Sequence, residues 1–475
     1  MTAVSGSVTV GIDIGTTAVK AVAVDDSGGV LARSRIPHRL FSGAPDLLEH
    51  DASRAWRRGP LQALAAVRTA GEPLDGVCVC SMVPSLTAVD VRGRPVTPGL
   101  LYGDARGRAE PDPATGGSGT AKGSDVLPDS EGFLRWAAAE APGAHGYWPA
   151  QAVANFALGG VAAIDSGVAM MSASLLSAGQ WDVDKLKRIG VDASQLPMIV
   201  PMGSRAGTVT GTAAALAGGT VDALCDQIVS GADNAGDVLV ICGATLIVWA
   251  VVDEWVDAPG LWTVPHTVAG KVLVGGPSNA GALFVDWARS LLHGPRRRPG
   301  PRPAGRPDGE GHDAGQAPRR GNPDRVPVWM PYLRGERTPY HDTTLRSSLH
   351  GLDITHDADA LERAAFEATG FVVRHMLDLG RIKARRIVAS GGGTRVTPWM
   401  QAMADASGLP VDVVAVHEGA AYGAAFMARL AAGLEHSLDD AGRWARTGYR
   451  VEPDAVWQEA ADNRYTRFRS LGPTR

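Results

Sequence analysis

The sequence predicts an α/β protein built from two domains. Three observations carry that prediction. A chain of 475 residues exceeds one ordinary core and suits two. A strand–Gly–Thr–strand unit occurs twice, with its glycines at Gly15 and Gly243, 228 positions apart and so close to half the chain. The last third alternates short apolar strands with helical periodicity.

Composition narrows the classes of function. Apolar residues make up 45% and charged residues 20%, as in ordinary folded proteins. The net charge of −4 gives no field that would draw the chain onto nucleic acid or an anionic membrane, and neither is expected as a partner. No apolar run reaches the ~18 residues of a membrane span, and Met1 to Val10 lacks the basic head and apolar stretch of a signal peptide. Cys78 and Cys80 form C-x-C inside an apolar run, with Cys225 and Cys242 elsewhere. That pattern suits buried thiols in a reducing cytoplasm better than a zinc or redox site.

Taken in order, Val8 to Ile14 and Ala18 to Val24 are rich in β-branched residues and read as two strands, joined by a turn at Gly15, Thr16 and Thr17. Asp25 to Gly29 makes a second turn, and Val30 re-enters a strand. Downstream, Asp237 to Gly243 and Leu246 to Val252 repeat the first pair. Residues 294–325 hold several prolines and glycines, an Arg296–Arg298 run and almost no large apolar residue; they read as a disordered loop. Asp359-Ala-Leu-Glu362 matches a capping box, and Leu361, Ala365, Ala368, Val372, Met376 and Leu379 continue it as an amphipathic helix that ends at Gly380. Arg386 to Ser390 reads as a buried strand, followed by Gly391-Gly392-Gly393 and a helix with Thr397 as N-cap, which Gly408 and Pro410 close. Glu418 to Gly433 is a further helix, whose alanines and glycines let backbone or ligand approach closely.

Three constellations could carry chemistry. In Asp13-Ile-Gly15-Thr16-Thr17, a tight turn exposes successive N–H groups and adds two hydroxyls, a concavity suited to phosphate oxygens; the acid two residues before the glycine can hold Mg²⁺. An ordinary hairpin with a polar turn is the competing reading, and no Gly-Lys-Ser/Thr follows to make a Walker loop. Gly391, Gly392 and Gly393 remove every Cβ where a flat ring or a phosphate could lie on backbone. Near the middle, Gly218-Gly219-Thr220-Val221 leads to Asp222, with Asp226 one helical turn later; either acid could accept a hydroxyl proton in phosphoryl transfer, and either could simply cap a helix.

Together these stretches resemble the FGGY family of carbohydrate kinases over roughly residues 8 to 435. Gly11 to Thr17 is similar to the family's first phosphate motif. Leu101-Tyr102-Gly-Asp104-Ala-Arg106 resembles its leucine–tryptophan–x–aspartate–x–arginine segment, with Tyr102 where tryptophan is usual. Leu196 to Gly203 with Gly207-Thr-Val resembles its interdomain strand region, and Pro331 to Pro339, containing Gly335-Glu336-Arg337-Thr338, is the most specific match. Gly351-Leu352 and Arg363 to Glu367 continue it. Ser390 to Gly393, Trp399, Gln401, Asp405 and Glu418 to Ala425 resemble the adenosine-binding end.

The resemblance implies two actin-like (ribonuclease H-like) domains flanking a deep cleft, the first over 1–235 and holding the acceptor, the second over 236–475 and holding ATP. It implies ATP-dependent phosphorylation of a hydroxyl on a small sugar, ketose or polyol. Asp13, Gly15, Thr16 and Thr17 would serve phosphates, with Asp13 on Mg²⁺; Gly243 and Thr245 would serve the γ-phosphate; Gly391, Gly392 and Gly393 would lie along the nucleotide. Gly243 lies 21 residues after Asp222, the family interval for its general base, and 17 after Asp226. Asp222 is therefore expected as the base, and as a substrate contact with Met82, Val83, Pro84, Tyr102 and Asp104. A homodimer is entertained as the assembly. The sequence departs from the family at the sugar-reading segment: xylulokinases carry glutamine and histidine at the positions of Met82 and Pro84, and glycerol kinases carry arginine and glutamate at Val83 and Pro84. That departure puts both familiar acceptors in doubt and keeps open a non-catalytic sugar-binding or regulatory relative. An actin-like ATPase or assembly protein is the remaining alternative.

Overall fold

A computed structural model describes residues 6–44, 47–68, 74–104, 106, 129–293 and 321–473. Most of the 294–325 segment, with its Arg296–Arg298 run, lies outside the described residues; Asn322 to Arg325 form a turn closed by the Arg325 N–H on the Asn322 carbonyl. The chain divides into two compact units. One comprises residues 1–233, 266–270 and 414–447, and the other 234–265, 271–413 and 448–475.

The first unit is a seven-stranded sheet of β1 (Thr9–Ile14), β2 (Ala18–Val24), β3 (Val30–Pro37), β4 (Gly76–Ser81), β5 (Arg205–Thr208), β6 (Ala215–Ala217) and β7 (Thr220–Val221). Its order is β5-β6-β4-β1-β2-β3, and β7 also pairs with β4. β1 is buried at every residue and β2 nearly so, which explains their continuous β-branched runs. Helices α1 (Gly59–Val67), α2 (Asp129–Glu140), α3 (Ala150–Gly159), α4 (Ser166–Met170) and α5 (Asp222–Ile228) also belong to this unit.

The second unit repeats the plan with β8 (Asp237–Cys242), β9 (Leu246–Val252), β10 (Trp262–Pro265), β11 (Val272–Ser278), β12 (Arg386–Ser390), β13 (Val411–Val414) and β14 (Thr447–Val451), in the order β10-β11-β9-β8-β12-β13-β14. In each unit an antiparallel hairpin (β1–β2, β8–β9) gains an antiparallel strand on one side (β3, β11) and a parallel strand on the other (β4, β12). The repeat expected from Gly15 and Gly243 is therefore a repeat of strand order and sense.

Helices α6 (Ala282–His293), α7 (Ala358–Leu379) and α8 (Thr397–Ser407) cover the second sheet, and the structure moves two of their expected starts. Asp357, not Asp359, caps α7 by accepting from the Ala360 N–H at 2.9 Å, while Glu362 pairs with Arg289. The helix is not amphipathic throughout: every residue from Ala364 to Val373 is buried, because it packs against strands and against α8. Thr397 is the first residue of α8 rather than its cap. A 3₁₀ turn over Gly392–Arg395 runs directly into that helix, so Val396 occupies the cap position with no side-chain bond.

Helix α9 (Gly419–Ala431), expected in the second domain, belongs to the first unit. Its alanines and glycines serve backbone approach. A Cβ on Gly11 would come within 1.8 Å of the Ala421 carbonyl oxygen, one on Gly76 within 2.5 Å of that of Ala428, and one on Gly423 within 2.0 Å of that of Cys225. Small residues on both faces let the helix lie almost on the sheet. All four cysteines are buried, and burial pushes the Cys78, Cys80 and Cys225 thiols up.

Candidate active site

In the first unit the site grows from the β1–β2 turn. The Gly15 N–H donates to the Ala18 carbonyl at 3.1 Å and closes the turn tightly. Asp13 and Lys20 face each other directly across the hairpin, and Lys20 Nζ lies 3.0 Å from Asp13 Oδ2. The Asp13 charge raises the Lys20 pKa against the opposing effect of burial, and Asp226 adds to it. Thr16 is buried and its hydroxyl meets the Tyr102 hydroxyl at 3.1 Å, whereas Thr17 is exposed. An expected phosphate group and an expected acceptor group are thus in direct contact.

His50 holds this turn from below. Its Nδ1 accepts from Trp56 Nε1–H at 3.0 Å, so its Nε2–H donates to the Thr16 carbonyl at 2.8 Å. Burial, with His38 beside it, pushes the His50 pKa down to about 3, so the ring is neutral.

Asp222 reaches the same region from the other side of β4. β7 pairs with β4 through Thr220↔Cys80 and Val221↔Ser81, which brings Asp222 alongside Met82. The Gly218-Gly219 approach is required by packing. Gly219 has φ +83°, and a Cβ there would meet Gln151 and Asn155 of α3 at 2.9 Å. Those two side chains hold the strand ends, Gln151 Nε2 donating to the Ser81 and Thr220 carbonyls and Asn155 Nδ2 to that of Gly218. Asp222 does not cap α5: Val221 occupies that position, and Asp222 is the first helical residue, its Oδ1 accepting from the Ala223 N–H. Its carboxyl is pushed up to about 6, chiefly by burial and next by the Asp13 charge, with the Ala223 N–H and Lys20 acting the other way. Asp226 is buried one turn further on.

Two of the expected acceptor contacts, Met82 and Asp104, are engaged within the protein. Met82 is buried in the hydrophobic core, while Val83 and Pro84 line a cavity. Asp104 is buried and fully engaged. It accepts from the Leu48 N–H and from the backbone and guanidinium N–H groups of Arg106 at 2.8–2.9 Å, and Arg106 continues to Glu49 at 2.7 Å. Burial opposes the Asp104 charge, but the Arg106 hydrogen bonds outweigh it and hold the carboxyl below the usual range. Asp104 thereby positions Arg106 and the chain at Leu48.

In the second unit, the Gly243 and Ala244 carbonyls accept the first N–H groups of α6, from Ala282 at 2.9 Å and Leu283 at 3.0 Å. Gly281 lets Thr245 lie against that helix start, where a Cβ would stand 2.2 Å from the Thr245 carbonyl carbon. The three glycines after β12 have different reasons. Gly391 has φ +90°, and a Cβ on Gly393 would strike Trp399 at 2.4 Å, so both are fixed by the fold. Gly392 faces open space and is the one whose backbone a nucleotide could reach. Glu336, buried, accepts from the Ser278 hydroxyl and the Asn279 and Arg337 N–H groups, tying the Gly335–Pro339 loop to the end of β11; burial pushes its carboxyl up to about 7.

Lys20, His50, Glu49 and the Asp104–Arg106 clasp were missed from the sequence. Lys20 alone had a local signal: in a hairpin with Gly15-Thr16-Thr17 as its turn, position 20 falls opposite position 13.

Two hairpin-centred sheets of matching topology, each with a Gly-Thr turn, define an actin-like fold of two related domains. The N-terminal domain model of the FGGY family of carbohydrate kinases matches residues 8–112, and the C-terminal domain model matches residues 238–432. The chain is 27% identical over 512 aligned positions to the xylulose kinase of Streptomyces coelicolor, covering 98% of this chain and 96% of that one. It is 23% identical to the gluconokinase of Bacillus subtilis, over 93% of this chain and 91% of that one. A crystal structure of a xyloylose kinase from Brucella ovis superposes with a TM-score of 0.75 at 23% identity, over 98% of this chain and 99% of that one. The chain belongs to the FGGY family of carbohydrate kinases. It phosphorylates a sugar at the expense of ATP. Among the described residues, no helix is long and apolar enough to cross a membrane.

Proposed function

We propose that Asp222 is the general base of this kinase and that the acceptor is a small sugar or ketose other than D-xylulose or glycerol. The observation that carries the reading is the Asp222 carboxylate, raised to about 6 beside the Asp13–Lys20 pair at the Gly15 turn. A base is most useful when its pKa approaches the working pH, and an unperturbed carboxylate near 3.8 is a weaker one. Asp222 takes the proton of the attacking hydroxyl. Lys20 and the Thr17 hydroxyl, at the same turn, bind phosphate oxygens, and the open backbone at Gly392 lies along the nucleotide.

Among the described residues, no group of three or more His, Cys, Asp or Glu side chains is placed to hold a metal. Mg²⁺ would be held by one or two carboxylates together with nucleotide phosphates and waters. Asp13 is the carboxylate that fits, since Lys20 engages only its Oδ2. Neutralising charge on the transferring phosphoryl group is the chemistry Mg²⁺ supplies when bound. The buried thiols support a reducing, cytoplasmic setting.

Coupled ADP release over a panel of pentuloses, hexuloses, polyols and sugar acids tests the reading. We expect turnover with at least one ketose and a higher kcat/KM for it than for D-xylulose or glycerol. If either of those two gives the highest value, the acceptor assignment is wrong.

A further inference from the structure

The sugar-reading segment does not end at a surface. Val83 and Pro84 form one wall of a cavity of about 40 Å³, closed by Phe133 of α2, Ile164, Val168 of α4 and Trp181. A single water needs roughly 10–15 Å³ measured this way, so the space holds a group of two or three heavy atoms. Its walls are apolar, and the polar side chains among them are largely committed elsewhere. Ser130 Oγ–H donates to the Met171 carbonyl at 2.9 Å, Trp181 Nε1–H donates to that of Pro197 at 2.8 Å, and Ser85 Oγ accepts from the Ala150 N–H at 3.1 Å. Ser172 is part-exposed.

The cavity is anchored to the catalytic strand. Asp222 follows Val221, which lies opposite Ser81, and Val83 is two residues beyond Ser81. β4 ends at Ser81 and the chain bends at Val83 and Pro84, so the cavity wall begins directly after the strand that pairs with Val221. The wall residue Ile164 precedes Asp165, whose N–H donates to the Gly219 carbonyl at 2.9 Å, and so the cavity wall and the strand leading to Asp222 are one hydrogen-bonded piece.

We propose that this cavity receives a methyl-ended terminus of the acceptor, so that the preferred substrate is a deoxy sugar rather than its fully hydroxylated counterpart. The inference rests on the kinase reading above and deepens it. A terminal hydroxyl entering the cavity would give up water for mostly apolar walls that offer it few partners, whereas a methyl group fills the same space without that loss. Apolar pockets discriminate by a single small group to about 10–200-fold, which sets the expected size of the preference.

The test compares matched pairs of ketoses that differ only in a terminal methyl against a terminal hydroxymethyl group, by kcat/KM in coupled ADP release. The wild-type enzyme should favour the methyl member of its best pair by at least tenfold. Val83→Thr, of nearly unchanged shape, should shrink that preference by a further measurable factor while thermal unfolding stays near wild type. Equal use of both members, or preference for the hydroxymethyl one, overturns this inference and leaves the kinase reading standing. Absence of sugar-dependent ADP release with every member of the panel overturns both. A Val83→Thr enzyme that folds normally and keeps the full preference also overturns the cavity's role.

Discussion

The two halves of this protein start from one plan and end with different equipment. Each has an antiparallel hairpin closed at a Gly-Thr turn and flanked by a parallel strand. In the first half, the hairpin carries Asp13 opposite Lys20; in the second, Ile241 stands opposite Ile247, both apolar. The strand ends differ as well. Asp13 pairs with Cys80 and Ile241 with Ser390, so Met82 and Val83 occupy the places that Gly392 and Gly393 occupy in the second half. One fold position thus carries two apolar side chains in one half and bare backbone in the other.

The sharpest way to break this contrast is to remove the acid. Asp222→Asn should lower kcat by about 10²–10⁴-fold, with nucleotide affinity near wild type in a titration of fluorescent ADP, because the groups proposed to hold the nucleotide are other residues. Asp226→Asn should cost far less. If the two effects exchange, the base is Asp226.

The pH profile comes next. Asp222 must be ionised to accept a proton, and its carboxyl is pushed up to about 6. The value of kcat/KM should therefore be flat above that point and fall by about tenfold per pH unit below it. An acid limb near 4 would show that burial and Asp13 do not act on the base as described.

His50 tests the support beneath the first turn. His50→Phe leaves the Thr16 carbonyl and the Trp56 indole N–H without partners, at about 1–3 kcal/mol per buried group, read as a lower midpoint of chemical unfolding. The folded ring titrates near 3 against an ordinary 6.5, so protons favour the unfolded chain. His50's contribution is complete above pH 6.5 and lost as pH falls towards 3, and the variant should lack that part of the acid sensitivity.

The smallest effects separate the three glycines. Gly393→Ala forces a methyl group onto Trp399 and should cost about 1–3 kcal/mol of stability. Gly391→Ala strains a positive φ to a similar extent. Gly392→Ala meets open space, so it should fold normally and raise only the KM for ATP. If it leaves that KM untouched, the nucleotide does not use this turn.

Local chemistry made much of this legible in advance. β-Branched runs broken by Gly and Thr gave both hairpins, and Asp222 stood out because its glycine approach and its spacing to Gly243 agreed. What escaped depends on distant partners. Nothing near Asp104 says that Arg106 and the Leu48 N–H will consume its carboxylate, nor does any feature near His50 point to the Thr16 carbonyl. The burial of Met82 was equally hidden: it continues β4, which is buried at every residue, and only the packing around that strand decides where the buried run ends. The cap of α7 was misplaced by two residues because Asp357 and Asp359 are chemically equivalent candidates and only the backbone path chooses between them.

The seam between α9 and the first sheet also dictates how the protein can be made. Gly11 and Gly76 lie bare against a helix that leaves the ribosome some four hundred residues after β1. Until then the back of the first sheet has no cover, and its apolar strands stay available to other chains. The N-terminal unit is consequently the first to be synthesised and among the last to be complete. A gene fragment ending near residue 235 would yield an aggregating half rather than a small binding protein, whereas supplying residues 414–447 in trans should restore its solubility.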